Sequence, residues 1–175
     1  MLQRMPSSEH LVGKILVPLD GSPLAERAIP YAEELARALK TEVQLFQVAL
    51  PIRGMLLSST NLASPEETMA LVQERVTQYF SGLTAKLGSS GPKVQFQISN
   101  LPAVDWELEE VRTHLLEMIV SLILQRVAEP DIGIVVLASH GSGARKGTAY
   151  GGVASRVLAR CPKPVLVVRV INEAG

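Results

Sequence analysis

Apolar positions along the chain switch repeatedly between two periods. KILVPL (Lys14–Leu19) is short, mostly apolar and cut off by Asp20, Gly21, Ser22 and Pro23, which signals a buried strand ending in a turn. The period then becomes helical: Ala25, Ile29, Ala32, Ala36 and Leu39 share a face, and Glu26, Glu33 and Arg37 lie off it. Ser22 can cap this helix and Pro23 suits its first position, so one helix is expected as far as Leu39. EVQLFQVA (Glu42–Ala49) alternates imperfectly and reads as a second strand. After a loop from about Pro51 to Ala63, Ser64-Pro65-Glu66-Glu67 carries the S-x-x-E capping box. It opens a long helix with Met69, Val72, Val76, Phe80, Leu83 and Leu87 on one face and Gly88 at its stop.

KVQFQIS (Lys93–Ser99) alternates cleanly, as suits a strand nearer the sheet edge. Asp105 to Ala128 is helical throughout, with Leu108, Val111, Leu115, Met118, Leu122 and Val127 among its apolar positions, and reads as one bent helix or two. DIGIVVLA (Asp131–Ala138) is the most hydrophobic strand candidate and belongs in the middle of the sheet. Gly151 opens a short helix through Val153, Val157 and Leu158, and Pro162 and Pro164 close it before a last strand, Val165–Val170. Five strands alternating with four helical regions predict an α/β, Rossmann-like fold: a five-stranded parallel sheet with helices on both faces. Residues 1–10 are polar and unpatterned and read as a flexible arm, leaving residues 11–175 as a single domain.

Composition narrows the possible functions. Hydrophobic residues make up 47% and aromatics 4%, so the core must be aliphatic, as helices packed on a buried sheet require. Seventeen basic and seventeen acidic residues cancel, which argues against a nucleic-acid partner. MLQRMPSSEH lacks the apolar core of a secretory signal, and no apolar run reaches the roughly 20 residues of a membrane span, so a cytoplasmic protein with no membrane partner is expected. Cys161 stands alone and fits a small buried thiol in a reducing compartment.

The chemistry concentrates in LASHGSGARKGTAYGGVAS (Leu137–Ser155), with glycines at 141, 143, 147, 151 and 152. Strand, glycine loop and helix together form a cradle of main-chain N–H groups for phosphate, and the loop after Leu19 is placed to line the same crevice. Lys146 stands where G-x-G-x-x-G wants its last glycine, and no G-x-x-x-x-G-K-[ST] occurs, which excludes a dinucleotide fingerprint and a P-loop. His140 as an acid or base, or Ser142 as a nucleophile, lacks a carboxylate orienter in the sequence. Asp20 suits a ribose or a water-bound Mg²⁺, and equally an ordinary turn. The carboxylates Asp105, Glu107, Glu109 and Glu110 read as a solvated helix face, and the glycines themselves suit either a ligand or a tight surface loop.

KILVPLDGSPLAERAIPYAEELA, VQLFQV and DIGIVVLASHGSGARKGTAYGGVASRVLARCPKPVLVVRV resemble the universal stress protein family across most of the chain. The resemblance implies an adenine nucleotide alpha hydrolase-like fold. Nucleotide-binding members carry G-x2-G-x9-G-[S/T]; this chain has Ala138, Gly141, nine residues from Ser142 to Tyr150, then Gly151 and Gly152, so two marked positions differ. Carried over by position, the resemblance implies that Pro18, Leu19, Asp20 and Val48 line an adenosine pocket flanked by Leu137 and Ala138. It implies that Gly141, Gly151, Gly152 and Val153 present main-chain amides to phosphates, with His140 and Gly143 in the same loop. Arg145 and Lys146 are placed to compensate for the hydroxyl that Gly152 lacks. Around Leu101–Glu117, including Trp106, about 15 residues replace the short link usual in the family; they read as a lid, a contact surface or a plain elaboration.

The expected function is a stress-response regulatory module binding ATP or AMP, with or without Mg²⁺, as a homodimer paired through Val165–Val170. The alternatives are a dimeric scaffold whose nucleotide pocket has decayed, or a slow ATP hydrolase.

Overall fold

The computed structural model of the chain describes residues 13–49, 65–87, 91–101, 110–142 and 148–170. The expected arm, the Pro51–Ala63 loop, the Ser64 cap and the Gly88 stop lie outside these residues. Strands β1 (Lys14–Leu19), β2 (Val43–Ala49), β3 (Val94–Asn100), β4 (Ile132–Ala138) and β5 (Val165–Val168) alternate with helices α1 (Pro23–Glu26), α2 (Ile29–Leu39), α3 (Pro65–Leu87), α4 (Glu110–Ala128) and α5 (Gly152–Arg160). All neighbouring strands pair in parallel, in the order β3-β2-β1-β4-β5. The chain therefore builds outward from β1 in one direction, crosses back, and continues on the other side of β1 with β4. In sheets of this kind ligands bind outside the carboxyl ends of the strands at such a reversal, here a crevice expected at the ends of β1 and β4.

Both sheet faces are covered. Ile15, Val17, Leu45, Ala32, Ala36, Val76 and Phe80 belong to one core, under α2 and α3. Leu16, Phe46, Val135, Val120, Ile123 and Val157 belong to the other, under α4 and α5. β1 sits in the centre and β3 at an edge, where Phe96 remains 42% exposed although it stacks on Phe80.

Two expectations are corrected in detail. The helix after β1 is two helices. Ser22 does cap α1, accepting from the Ala25 amide at 3.2 Å, but Pro30 occupies the first turn of α2. A proline ring collides with the carbonyl four residues earlier, here Glu26, which is where α1 ends. The last strand stops at Val168 because the Val170 amide donates to the Ser139 hydroxyl at 2.9 Å instead of continuing a ladder. Within the described residues the segment before β4 is one helix from Glu110; Asp105, Trp106, Glu107 and Glu109 lie outside them.

β1 and β4 meet at a bulge. Lys14 pairs with Ile132 and Ile15 with Ile134, leaving Gly133 as the extra residue against Gly13. At this amino end of the sheet Arg126 grips Asp131 with two hydrogen bonds, at 2.7 and 2.8 Å, and also bonds Gln44, while Lys14 pairs with Asp131 at 3.2 Å. The Lys163 ammonium donates to the Glu129 carbonyl at 2.7 Å just beyond α4. These contacts fasten one end of the sheet and leave the other for the site.

Candidate functional site

The first wall of the crevice is the turn after β1. Asp20 Oδ1 accepts from the Ser22 hydroxyl at 2.6 Å and the Ser22 amide at 3.0 Å. Its other oxygen, Oδ2, accepts from the Ser142 amide at 2.6 Å, across 122 residues of sequence. One carboxylate thus ties the β1 loop to the β4 loop. Burial pushes the Asp20 carboxyl up, but bonds from the Ser22 side chain and from the Ser142 and Ser22 backbones outweigh it and hold the group below its ordinary value.

The stability supplied by that shift is complete above the unfolded value of 3.8 and is lost as pH falls through the lower folded value. Asp20 keeps an open edge to solvent, so screening limits the gain to about 1 kcal/mol or less. Asp20→Asn is expected to melt lower than the native chain at pH 7, and the gap to shrink as pH falls below 3.8 toward and through the lower folded value; a gap of constant size across that range would contradict the charge role.

The second wall is the stretch after β4. Ser139 is 1% exposed and ties three segments together. Its amide donates to the Val168 carbonyl at 2.8 Å, its carbonyl accepts from the Gly151 amide at 2.8 Å, and its hydroxyl receives the Val170 amide. His140 lies between two hydroxyls, with Nδ1 3.1 Å from Ser139 Oγ and Nε2 3.2 Å from Thr148 Oγ1. Gly141 faces the Asp20 turn so closely that a Cβ there would sit 2.2 Å from Asp20 Oδ2. Only glycine lets the two loops approach this far.

The third wall is the start of α5. Gly151 is its N-cap and makes no side-chain capping bond. The first-turn amides of Gly152, Val153 and Ala154 have no carbonyl to bond within the helix, and the helix dipole adds partial positive charge at this end. The Gly151 amide, expected to face phosphate, is instead engaged by Ser139.

Side chains divide between the faces. Val48 and Leu137, 8% and 5% exposed, join the core under α4 and α5, while Leu19 and Ala138 join the other core. The side chains of Leu19 and Ala138 thus lie on the opposite sheet face from those of Val48 and Leu137. Pro18 pairs with Phe46 and Leu19 with Gln47 in the β1–β2 ladder. Ala138 lies within β4, and among the described residues positive φ occurs only at Lys40 and Gly21, so the methyl imposes no backbone strain. Gly143, Arg145 and Lys146 lie outside the described residues.

Sequence reasoning missed two contributors. Ser139 carries no motif signal, since its role is a matter of tertiary bonding. Gln47 left a trace, being a polar residue inside a buried strand. Its Nε2 lies 3.7 Å from where a Cβ on Gly21 would sit, and its Oε1 is buried with no hydrogen-bond partner. A buried acceptor left empty costs free energy, and here it stands beside the turn that walls the crevice. The open first-turn amides at the start of α5, beside the Gly141 loop, are the feature suited to an anionic ligand.

The universal stress protein family model matches residues 12–169. No individually curated protein matches the sequence. Among solved structures, universal stress protein UspA from Lactobacillus plantarum is 20% identical, with a TM-score of 0.61 and coverage of 90% of this chain and 97% of that one. A universal stress protein in complex with cAMP is 14% identical at a TM-score of 0.52, covering 92% and 99%. An Arabidopsis thaliana member of the family with AMP bound is 16% identical at 0.51, covering 93% and 94%. At these identities the likeness establishes a common fold.

Proposed function

The chain belongs to the universal stress protein family, and from that membership we propose that it is an adenine-nucleotide-binding regulatory module of a stress response. The observation that carries the reading is the set of open first-turn amides of α5, placed beside the Asp20–Ser142 tie where the strand order reverses. In this reading Pro18, Val48 and Leu137 pack against the adenosine, with the main chain of Leu19 and Ala138. Asp20 faces the sugar, and Gly141, Gly152 and Val153 offer amides to the phosphates. Solved proteins of this fold hold cAMP or AMP, which supports the ligand class.

Gly152 gives up a hydroxyl contact, a loss of about 1.5–3 kcal/mol against a charged group, so affinity is lower than with serine there without being abolished. ATP or AMP is the proposed resident. Mg²⁺ would arrive on the phosphates of ATP, since among the described residues no three His, Cys, Asp or Glu side chains gather to hold a metal. The proposed location is the cytoplasm; among the described residues no helix is long and apolar enough to cross a membrane.

A second copy is the proposed protein partner. β5 is an edge strand with Leu166 42% exposed, and Leu158 of α5 is 40% exposed. Pairing that edge with its two-fold mate would cover both. Calorimetric titration with ATP and AMP, together with light scattering of the same sample, tests both parts. Binding of at least one nucleotide by a two-subunit particle is expected. Null heats from both would end the nucleotide reading, and a monomer at all concentrations would end the dimer.

A further inference from the structure

Around Gly152 the neighbouring atoms close in on the room a side chain would take. A Cβ there would meet Leu116 Cδ2 of α4 at 3.0 Å and Arg156 Nη1 at 3.6 Å. Arg156 folds back along the first turn of its own helix, with Nη1 donating to the Gly152 carbonyl at 3.1 Å and Nε to Glu117 Oε1 at 2.7 Å. Arg160 closes on the same carboxylate from the other side, Nη1 to Oε2 at 2.9 Å. The bonds from Arg156, and then from Arg160, hold the Glu117 carboxyl below its ordinary value, so it is an anion at neutral pH. Arg156 Nη2 makes no bond among the described residues.

Two guanidiniums on one carboxylate reproduce the way proteins hold a phosphate group. The carboxylate belongs to α4, and the arginine nearer the helix start reaches Gly152, the first residue of α5, bonding its carbonyl and lying 3.6 Å from where a side chain there would begin. We infer that Arg156 is the residue that reads phosphate charge in the pocket, standing in for the hydroxyl absent at 152, and that Glu117 is its built-in competitor. A triphosphate, with more charge and more oxygens than a monophosphate, is the ligand able to draw Arg156 away from Glu117. Exposed ion pairs hold weakly, so the exchange is accessible. The pocket is thereby assigned to nucleoside triphosphate in preference to monophosphate. This assignment rests on the nucleotide reading above and adds its ligand class.

The test is calorimetric titration of the full chain with adenosine, AMP and ATP at one low ionic strength, using the native protein, Arg156→Met and Glu117→Gln. The native protein should bind ATP more tightly than AMP. Arg156→Met should lower the ATP-to-adenosine affinity ratio about tenfold, the loss of one charge-assisted contact. Glu117→Gln should raise the same ratio, because it removes the competitor and keeps the arginine. If Arg156→Met does not fold, Glu117→Gln decides alone. Native adenosine and ATP binding with ratios unchanged in the variants, or equal affinities for ATP and AMP, would overturn the Arg156 assignment and leave the pocket standing. No binding of any of the three ligands by the native protein would remove the pocket and the assignment together.

Discussion

Gly133→Ala is expected to unseat the centre of the sheet. A Cβ at this position would lie 2.5 Å from the Gly13 amide nitrogen and 3.1 Å from its Cα and carbonyl oxygen, all of them backbone atoms. No rotamer change relieves such a contact, so β1 and β4 must separate. β1 is the strand that both halves of the sheet are built on, with Ile15, Leu16 and Val17 fully buried. Overpacking of side chains costs typically 1–3 kcal/mol, and a backbone collision between central strands belongs at or above the top of that range. Against a total stability on the order of 5–15 kcal/mol this is a large fraction. Urea unfolding should show the midpoint falling sharply, or no cooperative transition at all. Gly82→Ala is the counterpart: its Cβ would meet nothing within 4 Å on an exposed helical position, and a gain of roughly 0.5–1 kcal/mol is expected. Equal midpoints for the native chain and Gly133→Ala would refute the packing argument.

Gly141→Ala should leave the fold in place and damage the site. Its Cβ would collide with the carboxylate of Asp20, at 2.2 Å from Oδ2 and 3.0 Å from Cγ, and that carboxylate is held by three hydrogen bonds. It must swing away and release the Ser142 amide, which opens the tie between the two loops. Thermal stability is expected to fall by about 1–2 kcal/mol, the loss of a charge-assisted bond together with local strain. Nucleotide affinity should fall about a hundredfold, or about 2.7 kcal/mol, because both walls of the proposed pocket shift. A double-mutant cycle with Asp20→Ala isolates the cause. Once the carboxylate is gone the new methyl has nothing to strike, so the stability losses should be strongly less than additive. Additive losses would show that the collision is not what Gly141 avoids.

Much of this architecture was legible in the residues, and the gaps have identifiable reasons. KILVPL followed by Asp-Gly-Ser-Pro marked both a buried strand and the turn that walls the crevice, because local turn chemistry and burial leave strong one-dimensional signals. Hydrophobicity placed β3 near an edge and β4 in the middle of the sheet, whereas β1 holds the middle and β4 lies next to it, since pairing is decided by contacts far apart in sequence. Pro30 was a readable breaker: its ring excludes the Glu26 carbonyl, and the apolar stripe continuing through Ala25 and Ile29 masked it. At the site, the glycine spacing identified the loop but not the use of each amide. Gly151 bonds Ser139 because of how the loop folds back on β4, a tertiary fact with no local mark. The departure at Gly152 was visible as a missing hydroxyl. That Leu116 and Arg156 crowd the same room was not, because they come from different positions on two helices.

Ser139 gives the molecule a mechanical property. Through one buried residue the loop facing the crevice is bonded to the Val168 carbonyl and the Val170 amide at the end of the outermost strand. A shift in that loop would be passed through these bonds to the rim of the sheet. In a pair of chains joined along that rim, filling one crevice would be felt by the other, and the two would respond as a coupled unit with a binding curve that departs from a simple hyperbola.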